Sequence, residues 1–242
     1  MPTISWWSLA WCAVPVVLVC VIYWRWRGDV SEVLTASARM TLQLIGVGYV
    51  LVALFNNPSP WISLAVLLLM IVVASWISIR PVKGLHGYFK PALIALGVAV
   101  SVHLLISLKL VMGVESWYEP RVLIPLAGMY FSNAMNAISL AAERYASELA
   151  EGKEVLEARM TAFRAAMIPQ VNSLLAVGVV ALPGMMTGQI LSGVSPLIAV
   201  RYQIMIMTMV LGASGLGAAV MLWLLSRKGK PITSVKEPKA AS

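Results

Sequence analysis

The residues best suited to chemistry in this sequence are amides, hydroxyls and thioethers that interrupt long apolar runs. In one run the small and polar residues Gly128, Ser132, Asn136 and Ser139 recur at spacings of 4, 4 and 3, with Asn133 beside them. An amide in hydrocarbon is costly unless it has a partner, so these side chains should face other helices or water. The stripe is therefore either a set of contacts between helices or part of a path for a polar substrate. We select Asn133 and Asn136 as path residues.

A second apolar run, 170–192, contains a predicted helix break at Pro183 and Gly184. Proline removes a backbone donor, and glycine lets the chain bend. Backbone groups freed at membrane depth must be satisfied by protein or by water in a cavity. Broken helices of this kind are typical of transporter binding regions. The predicted path residues at this break are Met185, Met186, Thr187 and Gln189.

Methionines cluster around both interrupted runs and admit two interpretations. Thioethers are soft ligands that can hold Cu(I), but they also fill gaps in apolar packing. With 14 methionines in the chain, gap filling is favoured. Met129 joins Met185 and Met186 among the predicted path residues, and no residue is predicted to form a stable metal site. No carboxylate lies in any predicted span, so a tight site for a hard cation is not expected.

Enzymatic chemistry has little support in these residues. The two histidines and two cysteines lack metal-ligand spacing, and a single aspartate excludes a two-aspartate protease. We therefore predict no catalytic residue. The segment from Gly212 to Gly215 resembles the nucleophile motif of rhomboid proteases, but no histidine follows Ser214 to act as its base. An intramembrane serine protease using Ser214 is kept as an alternative, and a close-packing helix face is the other interpretation.

Composition places the chain in a membrane. It has 242 residues, of which 60% are hydrophobic and 12% charged, whereas soluble domains carry about 25% charged residues. We predict an all-α integral membrane protein with one permease domain over 1–225 and a basic, disordered cytoplasmic tail over 226–242. About seven runs are long enough to span a bilayer, near 5–24, 40–56, 60–79, 91–112, 122–141, 170–192 and 203–225.

Lysine and arginine are concentrated in alternate connections, which predicts an orientation. The segments 25–39, 80–90, 142–169 and 226–242 hold 3, 3, 4 and 5 of them, which sums to 15 of 18. By the positive-inside bias the N-terminus is outside and the C-terminus is cytoplasmic. Basic residues divided in this way do not indicate nucleic-acid binding. Those of the tail either contact anionic membrane lipid or simply stop transfer.

An amphipathic cytoplasmic arm is predicted at 143–168, between the fifth and sixth spans. Gly152 should divide it into two helical pieces with a turn. The arm either lies on the membrane, packs on the protein's own loops, or docks in a partner's groove through its apolar stripe. Its polar face is more acidic than basic, which disfavours an anionic membrane surface. The residues predicted to couple the arm to a partner are Glu148, Leu149, Gly152, Leu156 and Glu157.

No P-loop accompanies this arm, because neither Gly-Lys pair has the G-x-x-x-x-G-K-[ST] pattern. The chain is thus expected to bind no cofactor itself and to lack its own ATPase. If transport is driven by ATP, the nucleotide and Mg must bind to a separate chain.

Several motifs resemble those of the FetB/YbbM-type permeases of ABC transporters, a family described as iron-export permeases. The resemblance covers roughly 39–225. The span-six block from Leu182 to Leu191 is its most specific part. The other matching stretches are Arg39…Gln43…Gly48-Tyr49, Ile124-Pro125…Gly128-Met129…Asn133-Ala134-Met135, Ile168-Pro169…Asn172-Ser173 and Ala199-Val200-Arg201-Tyr202-Gln203-Ile204.

The resemblance implies a permease of the bacterial inner membrane that works as a homodimer with a FetA-type ATP-binding subunit. ATP and Mg would bind to that subunit, and the exported substrate would be iron. Plant relatives are connected with aluminium tolerance and sugar-nucleotide movement. The Glu-Ala-Ala docking loop of ABC permeases is approximated at 148–152 and 157–159. An ATP-independent carrier or a membrane scaffold is a further alternative to the permease.

Overall fold

The computed structural model describes residues 5–82 and 87–227. Over these residues the chain is helical, apart from turns, short irregular connections and one isolated bridge between Val177 and Ala181. It forms two compact units, residues 1–57 and 58–242. The prediction of a single domain over 1–225 stays a prediction. The tail predicted at 226–242 lies outside the described residues from Lys228 onwards, as does His86.

The first unit contains α1 (Trp6–Ala10), α2 (Ala13–Arg25) and α3 (Val30–Asn56), with α2 packed on α3. Helix α3 begins ten residues before the predicted second span because Asp29 caps it. The Asp29 carboxylate accepts hydrogen bonds from the Ser31 hydroxyl at 2.7 Å and the Ser31 amide at 2.9 Å. These two bonds lower the pKa of Asp29. The connection predicted at 25–39 is therefore only a few residues long.

The second unit contains α4 (Pro60–Ser78), α5 (Phe89–Leu105), α6 (Pro120–Ala150), α7 (Val155–Ala176), α8 (Gly184–Leu191) and α9 (Pro196–Ser226). Helix α5 continues as a π-helical segment, Ile106–Val111. Proline stands at the start of α4, α6 and α9, where its missing N–H has no intrahelical partner to lose. Helices α6 and α9 pack against each other, and α5 and α7 pack against both.

Small residues form the contacts at the centre of the second unit. Helix α7 turns a fully buried row toward its neighbours, Ala158, Ala162 and Ala166. Helix α9 contributes Ala213, Gly217 and Ala218 in the same way. Lipid tails are as apolar as leucine, so helices in a membrane gain little from burying large apolar groups and associate through close van der Waals contact. The small residues allow that close approach.

Among the described residues, five stretches are long and apolar enough to cross a membrane: Trp7–Arg25, Val30–Asn56, Pro60–Ser78, Phe89–Val111 and Pro196–Ser226. This confirms an all-helical, multi-pass membrane protein. The predicted fifth span, 122–141, lies within α6, but the predicted sixth span, 170–192, is wrong as a single helix, because it consists of the end of α7, the turn segment 177–183 and α8. Neither α6 nor α7 is among the five stretches. They have 31 and 22 residues, but each carries part of the charged arm, which lowers its mean hydropathy.

The arm predicted at 143–168 is not a separate element. It consists of the end of α6 and the beginning of α7, which continue without interruption from the body of the unit. The two helices are joined by a turn at 151–154, where Gly152 adopts φ +86°. Only glycine takes this conformation without strain. The predicted division of the arm into two helical pieces at Gly152 is confirmed.

A close approach between α5 and α9 depends on Gly212. The His103 Nδ1–H donates to the Ala99 carbonyl at 2.7 Å, which turns Nε2 toward Gly212. A methyl group at position 212 would overlap the imidazole. The ring could move away only by losing its bond to Ala99.

We therefore expect Gly212→Ala to destabilise the protein by about 1–3 kcal/mol, the usual cost of overpacking. Thermal unfolding in detergent, followed by intrinsic fluorescence, measures the change. Gly188→Ala is the control, since a methyl group at that helical position meets no neighbour within 4 Å. Equal melting temperatures for Gly212→Ala and the unaltered protein would contradict the packing described.

Candidate functional site

The chain breaks between α7 and α8 over residues 177–183. A turn begins at Gly178, with φ +85°, and is closed by the Gly178 amide donating to the Ala181 carbonyl at 2.9 Å. Pro183 then stands immediately before α8, in an extended conformation. The non-helical segment is therefore longer than the break predicted at Pro183 and Gly184. Helix α7 already ends at Ala176, and the turn begins at Gly178, five residues before Pro183.

A cavity of about 430 Å³ lies beside this break, between the end of α7, the segment 177–183 and the first half of α9. Most of its wall is apolar. Two side chains of α9 supply polar groups: Gln203, which is 7% exposed, and Thr208. The Thr208 hydroxyl donates to the Ile204 carbonyl at 2.9 Å. The Oε1 of Gln203, in contrast, has no hydrogen-bond partner.

A buried amide oxygen without a hydrogen-bond partner costs free energy inside a membrane, unless a substrate or water occupies the space in front of it. The cavity also holds two thioethers, from Met186 and Met207. No carboxylate lines it. The arrangement can therefore offer an amide and soft sulfur to a polar or weakly bound guest, and it has no group for acid–base chemistry.

Only two of the residues predicted at the break, Pro183 and Met186, line this cavity. Met185 is half-buried and packs against the apolar core. The Thr187 hydroxyl donates to the Pro183 carbonyl at 3.0 Å, which pairs a carbonyl at the start of α8. Gln189 has a buried Oε1 without a partner, and Gly184 is exposed as the first residue of α8.

The polar stripe of α6 lies elsewhere, since no residue of α6 lines the cavity. Asn133 donates through Nδ2 to the Met129 carbonyl at 2.8 Å, within its own helix. Asn136 is exposed in the single chain. Met129 is half-buried against the apolar core. The break and the α6 stripe, predicted as one path, are thus two separate places in the second unit.

The sequence analysis selected no residue of α9 for the path. Gln203 of α9, however, is the side chain in the cavity wall whose buried oxygen has no hydrogen-bond partner. Its signal was available: Gln203 is an amide within an otherwise apolar run that continues to Ser226. The sequence alone does not show which residues surround Gln203. The apolar residues that enclose it come from the break and from the end of α7, which are distant along the chain.

The turn between α6 and α7 is held by a buried carboxylate. The Glu148 side chain is fully buried. It forms ion pairs with Arg144, one helical turn earlier, and with Lys153 Nζ at 2.5 Å. The Lys153 amide also donates to the Glu148 carbonyl at 3.2 Å. The hydrogen bond from Lys153 is the main cause that lowers the pKa of Glu148, and the same bond raises the pKa of Lys153.

The five predicted coupling residues divide into two sets. Glu148 and Leu149 face inward, and Leu149 packs against the apolar core. Gly152, Leu156 and Glu157 are exposed at the turn and on the first turn of α7. Leu156 is 58% exposed, since α7 packs through its alanine row. The apolar stripe of the arm, which was predicted to meet the membrane, the protein's own loops or a partner, is therefore exposed at Leu156.

Ser214 has no arrangement for nucleophilic catalysis. It is fully buried, and its Oγ has no hydrogen-bond partner. His103 reaches α9 at Gly212, two residues away and therefore on a different face of the helix. Across residues 5–82 and 87–227, no group of three or more histidine, cysteine, aspartate or glutamate side chains could hold a metal ion.

These features define a multi-pass helical membrane protein with a partly polar cavity beside a broken helix. The chain belongs to the Uncharacterised protein family UPF0014, whose sequence model matches residues 6–229. No solved structure matches it.

Relatives come from bacteria and plants. The chain is 32% identical to the "Probable iron export permease protein FetB" of Escherichia coli, over 82% of this chain and 81% of that protein. It is 35% identical to the "UPF0014 membrane protein slr1647" of Synechocystis, over 80% and 81%. It is 30% identical to the "Protein ALUMINUM SENSITIVE 3" of Arabidopsis thaliana, over 88% and 83%.

The buried ion pairs of Glu148 yield a prediction about stability and pH. Glu148→Gln leaves Arg144 and Lys153 close together without the carboxylate, so it should lower the melting temperature by several degrees at pH 7. Because the folded-state pKa of Glu148 lies below the ordinary value of 4.5, its stabilisation is complete above that value and is lost as pH falls through the folded pKa.

Melting temperatures between pH 7 and pH 3 test this. The unaltered protein should lose more stability below about pH 4.5 than Glu148→Gln does. Glu143→Gln, an exposed glutamate of the same helix, is the control and should behave like the unaltered protein. Identical pH profiles for Glu148→Gln and the unaltered protein would show that the ion pairs do not support the turn.

Proposed function

We propose that this chain is the membrane-spanning permease subunit of an ABC transporter that exports a metal ion, iron, at the expense of ATP hydrolysed by a separate subunit. The cavity beside the broken helix carries the transport function, because its unpaired Gln203 oxygen suits a polar guest in transit. Iron, export and permease come from the printed name of FetB, and the ABC mechanism is what the family resemblance of the sequence motifs implies. The chain acts as a transporter and not as an enzyme.

The proposed topology has seven spans in the bacterial inner membrane, with the N-terminus outside and the C-terminus inside. Helices α6 and α7 serve as the fifth and sixth spans. At 1.5 Å per residue they are about 46 and 33 Å long, against a hydrocarbon core of about 30 Å. The turn at 151–154 then falls on the same side as the other basic connections, in agreement with the positive-inside bias.

Iron passes through the cavity without a strong site in this proposal. Gln203, Met186 and Met207 offer an amide and two thioethers, and no carboxylate is present to hold a hard cation firmly. Weak binding suits a permease, since the ion must leave again. The other proposed path residues around the break are Met185, Thr187 and Gln189.

A second copy of the chain would explain the α6 stripe. Asn136 and Ser132 are exposed along one side of α6, and an amide facing lipid is costly. We place this side at the contact between two permease subunits. There Asn133, Asn136 and Met129 reach the path from the side opposite the break, and the homodimer binds two ATP-binding subunits of FetA type.

Coupling to the ATP-binding subunit is assigned to the turn at 151–154 and the first turn of α7. Its exposed groups are Gly152, Leu156 and Glu157, while Glu148 and Leu149 fix its shape from inside. ATP and Mg bound by the partner would close the two ATP-binding subunits and displace the turn. Because α7 runs without interruption from Val155 to Ala176, that movement reaches the break directly.

Removal of the unpaired amide tests the path. Gln203→Met preserves side-chain volume but removes the oxygen, and we expect iron export to fall about tenfold, the effect of losing one hydrogen bond worth ~1.4 kcal/mol. The assay is efflux of radiolabelled iron from loaded cells that express the chain with its ATP-binding subunit.

Asn56→Leu is the control for that experiment, because it removes an exposed amide at the end of α3. It should export iron at the unaltered rate with similar membrane expression. Full export by Gln203→Met would exclude the cavity from the path, and export of no iron by the unaltered pair would overturn the substrate.

The coupling surface is tested by Leu156→Asp. A charge in place of an exposed leucine should reduce recovery of the ATP-binding subunit with the tagged permease at least about fivefold, since an apolar docking contact is replaced by a hydrated group. The permease itself should still insert and fold.

Ala150→Asp adds the same charge at the neighbouring exposed end of α6 without removing an apolar side chain, and it should retain the partner. Normal recovery with Leu156→Asp would exclude this part of the arm. Absence of any ATP-hydrolysing protein from gently purified, cross-linked permease would exclude the ABC mechanism itself.

A further inference from the structure

A second large groove lies away from the cavity, between the first half of α7 and the last turns of α9. Its volume is about 650 Å³. The floor is apolar and comes from both helices, with Met160 and Phe163 on α7 and Val220 and Trp223 on α9. The transport mechanism proposed above makes no use of this groove.

Two arginines stand in the wall of the groove. Arg159 and Arg164 both line it, and none of the described residues in its wall is acidic. Neither arginine forms an ion pair with any described residue. Arg164 also borders a smaller hollow near the turn that contains Glu154 and Glu157, yet none of these carboxylates pairs with it.

A third cation lies over Trp223, one of the residues that line the groove. The Arg227 guanidinium lies over the Trp223 ring, 3.8 Å from its centroid. Trp223 is 44% exposed, and both residues lie at the end of a 31-residue apolar helix. Tryptophan and arginine are enriched where such helices leave the hydrocarbon. The groove is therefore at the level where the acyl chains of the bilayer meet the lipid headgroups.

From this combination we propose that the groove between α7 and α9 binds an anionic phospholipid of the surrounding bilayer. The acyl chains lie on the apolar floor, and the phosphate is held by Arg159 and Arg164. Basic grooves between membrane helices are suited to such headgroups, and arginine pairs with phosphate through two parallel hydrogen bonds. A zwitterionic lipid offers the same chains but no net charge, so it would bind weakly.

A lipid in this place would also bear on stability. Helices α7 and α9 meet through small residues, and Met167 on α7 lies against Gly215 on α9. The groove opens beside this contact, toward the ends of the two helices. An acyl chain in the groove bridges them and fills space that packing leaves empty. Bound anionic lipid should therefore raise the melting temperature of the full chain.

The experiment uses the full chain, purified in mild detergent and stripped of lipid. Phosphatidylglycerol and phosphatidylcholine with identical acyl chains are titrated separately, and bound lipid is counted by native mass spectrometry. Melting temperatures are recorded on the same samples. We expect phosphatidylglycerol to bind about tenfold more tightly and to stabilise the protein. Equal affinity for the two lipids would overturn the proposal.

Two variants separate charge from shape. The double substitution Arg159→Gln, Arg164→Gln should bring phosphatidylglycerol affinity down to that of phosphatidylcholine. Ala219→Phe, at an exposed position in the groove wall, should reduce binding while both arginines remain. Undiminished phosphatidylglycerol binding by either variant would contradict the assignment.

Arg201→Gln is a control for general charge, because it removes one positive charge from an exposed position near the other end of α9. It should bind phosphatidylglycerol normally, and an equal loss would mean that only general charge is measured. Glycerol 3-phosphate should not compete; competition would indicate a site for a soluble phosphate. If the groove variants alter self-association and leave lipid binding intact, the groove is a protein contact.

Discussion

Close contact between small side chains is the constraint on which the second unit depends. Inside a bilayer, the hydrophobic effect does not drive one helix onto another, so stable packing requires backbones that approach closely. The alanine row of α7 and the Ala213, Gly217 and Ala218 face of α9 provide that approach. Large apolar side chains of α7 then point outward, to lipid or to a partner.

The two ends of α7 differ because this small-residue contact covers only its first part. The alanine row ends at Ala166, and further along α7 the cavity is lined by Leu174 and Val177 together with Gln203 and Met207 of α9. At the other end, α7 begins at a turn fixed by Glu148 and its two cations. One continuous helix, α7, thus links a well-defined turn to a largely apolar cavity that contains the Gln203 amide. That arrangement is the physical basis for relating a partner's movement to access at the break.

The outward face of α7 serves two proposed contacts without conflict. Leu156 and Glu157 stand next to the turn, where an ATP-binding subunit would reach them. Phe163 and Arg159 border the groove shared with α9, where the membrane interface is expected. A protein contact and a lipid contact at successive turns of one helix would make coupling sensitive to the composition of the bilayer.

Some features of this protein were determined by the sequence alone. Apolar runs long enough to span a membrane predicted a helical, multi-pass protein, because each backbone polar group in hydrocarbon must be paired within its own segment. Gly152 gave the turn within the arm, because a positive φ favours glycine. Motifs around 182–191 pointed to the right family. These signals are local, so they need no knowledge of neighbouring helices.

Only the tertiary structure decided which residues meet. The spacing of apolar residues in the arm predicted one amphipathic face, but it could not show that α7 packs through Ala158, Ala162 and Ala166, because helix contacts in a membrane select small residues. Gln203 lies in the cavity wall because α7 ends in a turn at Gly178, within the apolar stretch 170–192 that was predicted to be one span. Asn136 and the break were predicted to form one path, but they lie in different places. Helix α8 packs on α9, and no residue of α6 lines the cavity. Such contacts arise from how helices pack, and spacing along one helix cannot specify the surface it meets.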